Sequence, residues 1–141
     1  MRHRCPARVR GAARNEIQRM KSAYKGKRGI TRMWNALFYS LDGLSAAFKH
    51  EDAFRQEVLM ALILIPIAVH MPVSGPGKAL MVASVLLVLI VELINSAIEA
   101  VTDRISLEDH ILAKRAKDMG SAAVMIALID VPTVWLIVLL S

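Results

Sequence analysis

The sequence predicts an all-α membrane protein, with three transmembrane helices preceded by an N-terminal amphipathic surface helix. Three observations carry that prediction. The 141-residue chain is 55% hydrophobic, with mean hydropathy +0.46, yet its formal net charge is +6. Those figures coexist only if apolar and basic residues are segregated, and 13 of the 18 Lys and Arg fall within residues 1–55. Three apolar segments of near-membrane length then follow, separated by polar stretches that differ sharply in cation content.

Residues 1–31 are rich in Arg and Lys and poor in large apolar side chains, the pattern of a flexible basic tail. Without interleaved aromatics or a binding fold, a nucleic-acid arm is not expected; contact with anionic lipid at the cytoplasmic face is. With no apolar stretch and cleavage site directly behind it, the tail does not read as a signal peptide. The single cysteine, Cys5, excludes an intramolecular disulfide. Residues 32–56 place Trp34, Leu37, Phe38, Leu41, Leu44, Phe48 and Phe54 at spacings of three and four. This predicts an amphipathic helix lying in the membrane interface, with a break near Gly43.

The first span is expected over about 57–73. It is short, so the surface helix is expected to run on into it, with Pro66 introducing a kink. The second span is expected over 79–101 and the third over 119–141. The stretch "SGPGKAL" between the first two lacks P-loop spacing and reads as a turn. Cations crowd the N-terminal side and the 102–118 loop, which places both in the cytoplasm. Trp34 and Trp135 are expected as interface anchors, Ala123 and Ala127 as a small-residue packing step, and His70 as a wetted residue near the far surface. Asp130 is expected to cap backbone groups freed by Pro132 or to meet a neighbouring subunit.

The stretch "VELINSAIEAVTDR" (91–104) carries polar groups into the second span. Asn95, Glu99 and Asp103 lie 3, 7 and 11 residues beyond Glu92, so all four share one helical face. A charge at mid-bilayer costs at least ~2.5–3.5 kcal/mol on insertion scales. Helix adhesion explains Asn95 and Ser96, but not the two Glu. Carboxylates at a membrane mouth can hold Mg²⁺ together with substrate phosphates, and a deeper one can act as a general base. Further polar residues come from "HEDAFRQE" before the first span and from "AKRAKDMGS" before the third. These pieces point to phosphoryl transfer onto a membrane-embedded hydroxyl, and are also compatible with an ion or proton pathway lined by Glu92 and Glu99.

Three blocks, "EDAFRQE" (51–57), "VELINSAIEAVTDR" (91–104) and "RAKDMGSAAV" (115–124), make the chain resemble the small prokaryotic integral-membrane diacylglycerol kinases from about Arg32 to the C-terminus. The resemblance implies an oligomeric bundle, a homotrimer with sites shared between subunits at the cytoplasmic face of the bacterial inner membrane. It also implies transfer of the γ-phosphate of MgATP to the primary hydroxyl of diacylglycerol, giving phosphatidate. Glu92 matches the general base, and Glu51 and Glu99 the metal-holding carboxylates. Arg32, Tyr39, Glu51, Glu99, Glu108, Asp109, His110, Lys117 and Asp118 match nucleotide contacts. Arg32, Ala53, Phe54, Arg55, Gln56, Glu57, Glu92, Asn95 and Ser121 match contacts to the lipid substrate, and Asp103 a structural or orienting group. A related kinase acting on a polyprenol such as undecaprenol shares this chemistry and stays open at this point, as does the ion pathway.

Overall fold

A computed structural model describes residues 29–105 and 111–141. The described residues form four helices: α1 (Ile30–His50), α2 (Asp52–His70), α3 (Gly75–Ile105) and α4 (Ile111–Leu140). The last three are long and apolar enough to cross a membrane. The basic tail through residue 28, together with Glu108, Asp109 and His110, lies outside the described residues.

The chain divides into two units, at 1–42 and 43–141. In the first, Gly29 adopts φ +79 and its carbonyl accepts from the amides of Arg32 and Met33, which opens α1. Trp34 and Phe38 stack edge-to-face one turn apart, with ring centroids 5.9 Å from each other. Met33, Trp34, Leu37, Phe38 and Leu41 are all exposed, as suits a helix whose apolar side lies in lipid.

In the second unit, the expected break near Gly43 is absent. The helix runs through that glycine and stops at Glu51, whose backbone is extended (φ −111, ψ 112). Arg55 holds the junction. Its Nη1 donates to the carbonyls of Phe48 and Lys49, both at 3.2 Å, and its Nη2 pairs with Asp52. These bonds satisfy carbonyls that the end of α1 leaves without intrahelical partners. The surface helix therefore does not continue into the first span. The turn missing from that apolar run comes from residues 52–56, which begin α2 themselves. At 1.5 Å per residue its 19 residues measure about 28 Å, close to the hydrocarbon thickness.

Ser74 opens α3. Its hydroxyl accepts from the Gly77 amide at 3.3 Å and its carbonyl from the Lys78 amide at 3.0 Å, so "SGPGK" is a helix start rather than a phosphate loop. Lys78 Nζ reaches back to the Val69 carbonyl at 2.8 Å and ties the start of α3 to the end of α2. His70 Nδ1 lies 2.8 Å from the Pro66 carbonyl, which makes that nitrogen the donor. Helices α3 and α4 extend past the expected spans, at 31 and 30 residues.

Helix α3 is central and packs against both α2 and α4. Lipid tails are as apolar as leucine, so helices meet here through close packing of small side chains. Ala61 and Ala68 of α2, Met81, Ser84, Val85 and Val88 of α3, and Ala127 and Val131 of α4 are buried. The face that α4 turns inward runs through Gly120, Val124, Ala127 and Val131; Ala123, expected to pair with Ala127, is exposed. Trp135 makes a helix contact in addition to any role as an interface anchor. Its Nε1 donates to the Met81 carbonyl at 3.3 Å and its ring packs on the core. Asp130 makes no hydrogen bond or ion pair among the described residues and so caps nothing; in that turn the Thr133 hydroxyl donates to the Ile129 carbonyl at 2.8 Å.

Ala68 is fully buried. Replacing it with Leu is expected to overpack the α2 contact and cost about 1–3 kcal/mol, read from denaturant unfolding in mixed micelles. Unchanged stability would remove Ala68 from the helix contact.

Candidate active site

The acidic face of α3 descends in burial along its length. Glu92, Asn95 and Ser96 are buried, Glu99 is half-buried and Asp103 is exposed. The opposite side, with Ile94, Ala97 and Val101, is exposed and apolar. The stripe therefore faces protein along the stretch where charge is least tolerable.

Asn95 organises this face. Its Nδ2 donates to Glu99 Oε1 at 3.3 Å, one turn from the buried Glu92 on the same face. Its Oδ1 turns the other way, to Gly120 of α4, and has no hydrogen-bond partner among the described residues. Glu57 of α2 is also buried, and its Oε2 likewise has no partner there.

Glu92 is the common neighbour of three further sequence-predicted carboxyl groups: it feels the negative charges of Glu99 on its own helix and of Glu51 just before α2, and Glu57 of α2 feels Glu92. Like charges gathered around one carboxylate suit a cation. Among the described residues no three His, Cys, Asp or Glu side chains converge to cage a metal by themselves. The donor set fits Mg²⁺ in its usual form, one or two carboxylates with the remaining positions taken by phosphate and water.

At the surface end, Lys117 Nζ pairs with Asp103 Oδ1 at 2.9 Å and feels Glu99 as well. This links α4 to the acidic face of α3 and places a cation at the outer end of the carboxylate row. Asp118 and Ser121 follow on α4, both exposed. Within the predicted lipid-contact segment, Phe54 is buried, Ala53 and Gln56 are exposed, and Arg55 is engaged with the end of α1. Arg32 and Tyr39 belong to the first unit, where both are exposed. Glu108, Asp109 and His110 cannot be assigned a place, since they lie outside the described residues.

Reasoning from sequence missed Gly120. It sits inside the block "RAKDMGSAAV", and a glycine in the interior of an apolar helix, where helix propensity disfavours it, was the available signal.

Residues 38–139 match the family model described as prokaryotic diacylglycerol kinase. The chain is similar to the diacylglycerol kinase of Pseudomonas aeruginosa, with 55% identity over 120 residues, covering 85% of this chain and 98% of that protein. It is 51% identical to the diacylglycerol kinase of Escherichia coli K12 over 113 residues, covering 80% and 93%. It is 44% identical to that of Helicobacter pylori over 108 residues, covering 77% and 84%.

Proposed function

The chain belongs to the prokaryotic diacylglycerol kinase family, and from that premise we propose that its α3 carboxylates serve the transfer of a phosphoryl group from ATP to a lipid hydroxyl at the membrane surface. It is a multi-pass membrane protein and an ATP-dependent lipid kinase acting on diacylglycerol. The observation that carries the residue assignment is the buried Glu92, on the same inward face of a membrane-spanning helix as the Asn95–Glu99 pair.

In this reading Glu92 accepts the proton of the diacylglycerol primary hydroxyl. The freed oxygen attacks the γ-phosphorus of ATP, the bond to the β-phosphate oxygen breaks, and ADP and phosphatidate leave. Glu92 stands seven residues inward of Glu99, about two helical turns or ~10 Å along α3. That offset suits an acceptor whose tails stay in the bilayer while phosphate arrives from the aqueous side. Asn95 keeps the two carboxylates apart and oriented. Glu51 and Glu99 would hold Mg²⁺, which when bound neutralises phosphate charge. Lys117, steadied by Asp103, and Arg32 supply positive charge to the nucleotide, with Tyr39, Glu108, Asp109, His110 and Asp118 as further contacts. Ala53 to Glu57 and Ser121 are the proposed contacts to the lipid substrate.

The chain is read as lying in the bacterial inner membrane, with the N-terminal side and the 102–118 loop in the cytoplasm, because cations concentrate there. It is read as a homotrimer. Helices α2 and α4 flank α3 without close backbone approach to each other among the described residues, so neighbouring copies would close the site against lipid. The sites are read as shared between neighbouring subunits.

Purified protein given labelled ATP, Mg²⁺ and a panel of diacylglycerols and polyprenols is expected to label diacylglycerol. The Glu92→Gln variant is expected to lose ~10²–10⁴-fold in turnover while still binding ATP. Near-normal turnover in that variant would end the general-base assignment, and label on the polyprenols alone would change the acceptor.

Glu51→Gln and Glu99→Gln are each expected to raise the Mg²⁺ and ATP concentrations needed for half-maximal rate, with folding retained. A Mg²⁺ titration unchanged in both would take these carboxylates out of the metal site.

Mixing inactive Glu92→Gln subunits with inactive Arg32→Ala subunits is expected to restore part of the activity, since some mixed trimers then hold an intact site. Absence of rescue at every mixing ratio would argue that each chain carries a complete site.

A further inference from the structure

The geometry points to Gly120 as a positioning residue for the reaction: the side chain it lacks is the space in which the Asn95 amide is held turned towards Glu99, on the face that carries Glu92. The inference rests on the reading of Glu92, Asn95 and Glu99 as the reacting site.

Gly120 lies inside α4, where glycine weakens a helix relative to alanine. Conformational freedom is not the reason for it. Among the described residues the only positive φ is at Gly29, so the backbone at Gly120 is one that any residue could adopt. Space is the reason. Gly120 is buried, and a Cβ built on it would run into Asn95 Oδ1, with Asn95 Cγ at 3.4 Å and Cα at 3.9 Å.

Asn95 cannot yield easily to such an atom. It is itself buried, and its Nδ2 is committed to Glu99 at 3.3 Å. Turning the amide over would set Oδ1 against the Glu99 carboxylate, replacing a donor–acceptor contact with repulsion between oxygens. Oδ1 must therefore face α4, and α4 must present no atom there. Gly120 meets both demands, and the unpartnered state of Oδ1 among the described residues marks where the missing side chain would have been. Gly120 acts through Asn95, by fixing the direction of the amide that holds Glu99 on the face shared with the base.

The test is a double-mutant cycle on the full-length protein, assayed with ATP, Mg²⁺ and diacylglycerol in mixed micelles. Gly120→Ala is expected to lower kcat by ~10–100-fold, the usual cost of disturbing a group that orients site residues, with little change in KM for either substrate. In an Asn95→Ala background, where no amide remains to be displaced, the same substitution is expected to cost almost nothing further. Equal losses in the two backgrounds, or no loss in the single variant, overturn the inference while leaving the site reading intact. Full turnover in Asn95→Ala alone overturns the site reading, and the inference with it. If Gly120→Ala fails to assemble, recovery of folded protein in Asn95→Ala/Gly120→Ala supports the same contact, and failure of both overturns it.

Discussion

Carboxylates inside a membrane-spanning helix must be compensated where water cannot reach them, and the contact between Asn95 and Gly120 sets the terms of that compensation. One amide donates a hydrogen bond to Glu99, on the face that also carries Glu92, and turns its oxygen to a place on α4 where no side chain stands. The arrangement requires α3 and α4 to approach closely at that level. It also makes α3 the central helix, because only there can a single polar face be covered from α4 on one side and by Glu57 of α2 on the other.

The remaining packing follows from the solvent. Apolar side chains gain nothing by leaving lipid for protein, so the contacts between spans are built from residues that allow close approach: Ala61, Ala68, Ser84, Gly120 and Ala127. Large apolar residues such as Leu62, Ile63, Ile94 and Ile126 stay outside. Polar groups at the helix ends fasten the register. Lys78 holds the Val69 carbonyl at one end, and Lys117 holds Asp103 at the other. An exposed ion pair of that kind contributes little stability, of order 0–1 kcal/mol, so its use lies in where it keeps Lys117, beside the outer end of the carboxylate row.

The chemistry proposed for this site uses that gradient of depth. The exposed Asp103 lies at one end, the half-buried Glu99 in the middle and the buried Glu92 further in. A lipid substrate needs such a graded site, since its reacting hydroxyl and its tails belong to different phases. Membership of the diacylglycerol kinase family gives the reaction, and the burial of Glu92 against the exposure of Asp103 gives a physical reason why the stripe is ordered as it is.

Much of this was legible in the chain itself. Segregated charge and hydropathy gave an all-helical membrane protein with three spans, and period-3.6 spacing put Glu92, Asn95, Glu99 and Asp103 on one face, because both signals depend only on local geometry and on the cost of charge in lipid. Tertiary structure decided the rest. The break fell at Glu51 instead of Gly43, because glycine permits a helix to continue while Arg55, reaching back from the next helix, rewards the end of α1 at His50. Trp135 became a helix contact because the Met81 carbonyl lay within its reach, and Ala123 was left outside because α4 is rotated to present Gly120 and Ala127. The meaning of Gly120 was hidden for the same reason. An absent side chain has no pattern in one dimension, and its role exists only where another helix brings a polar atom against it.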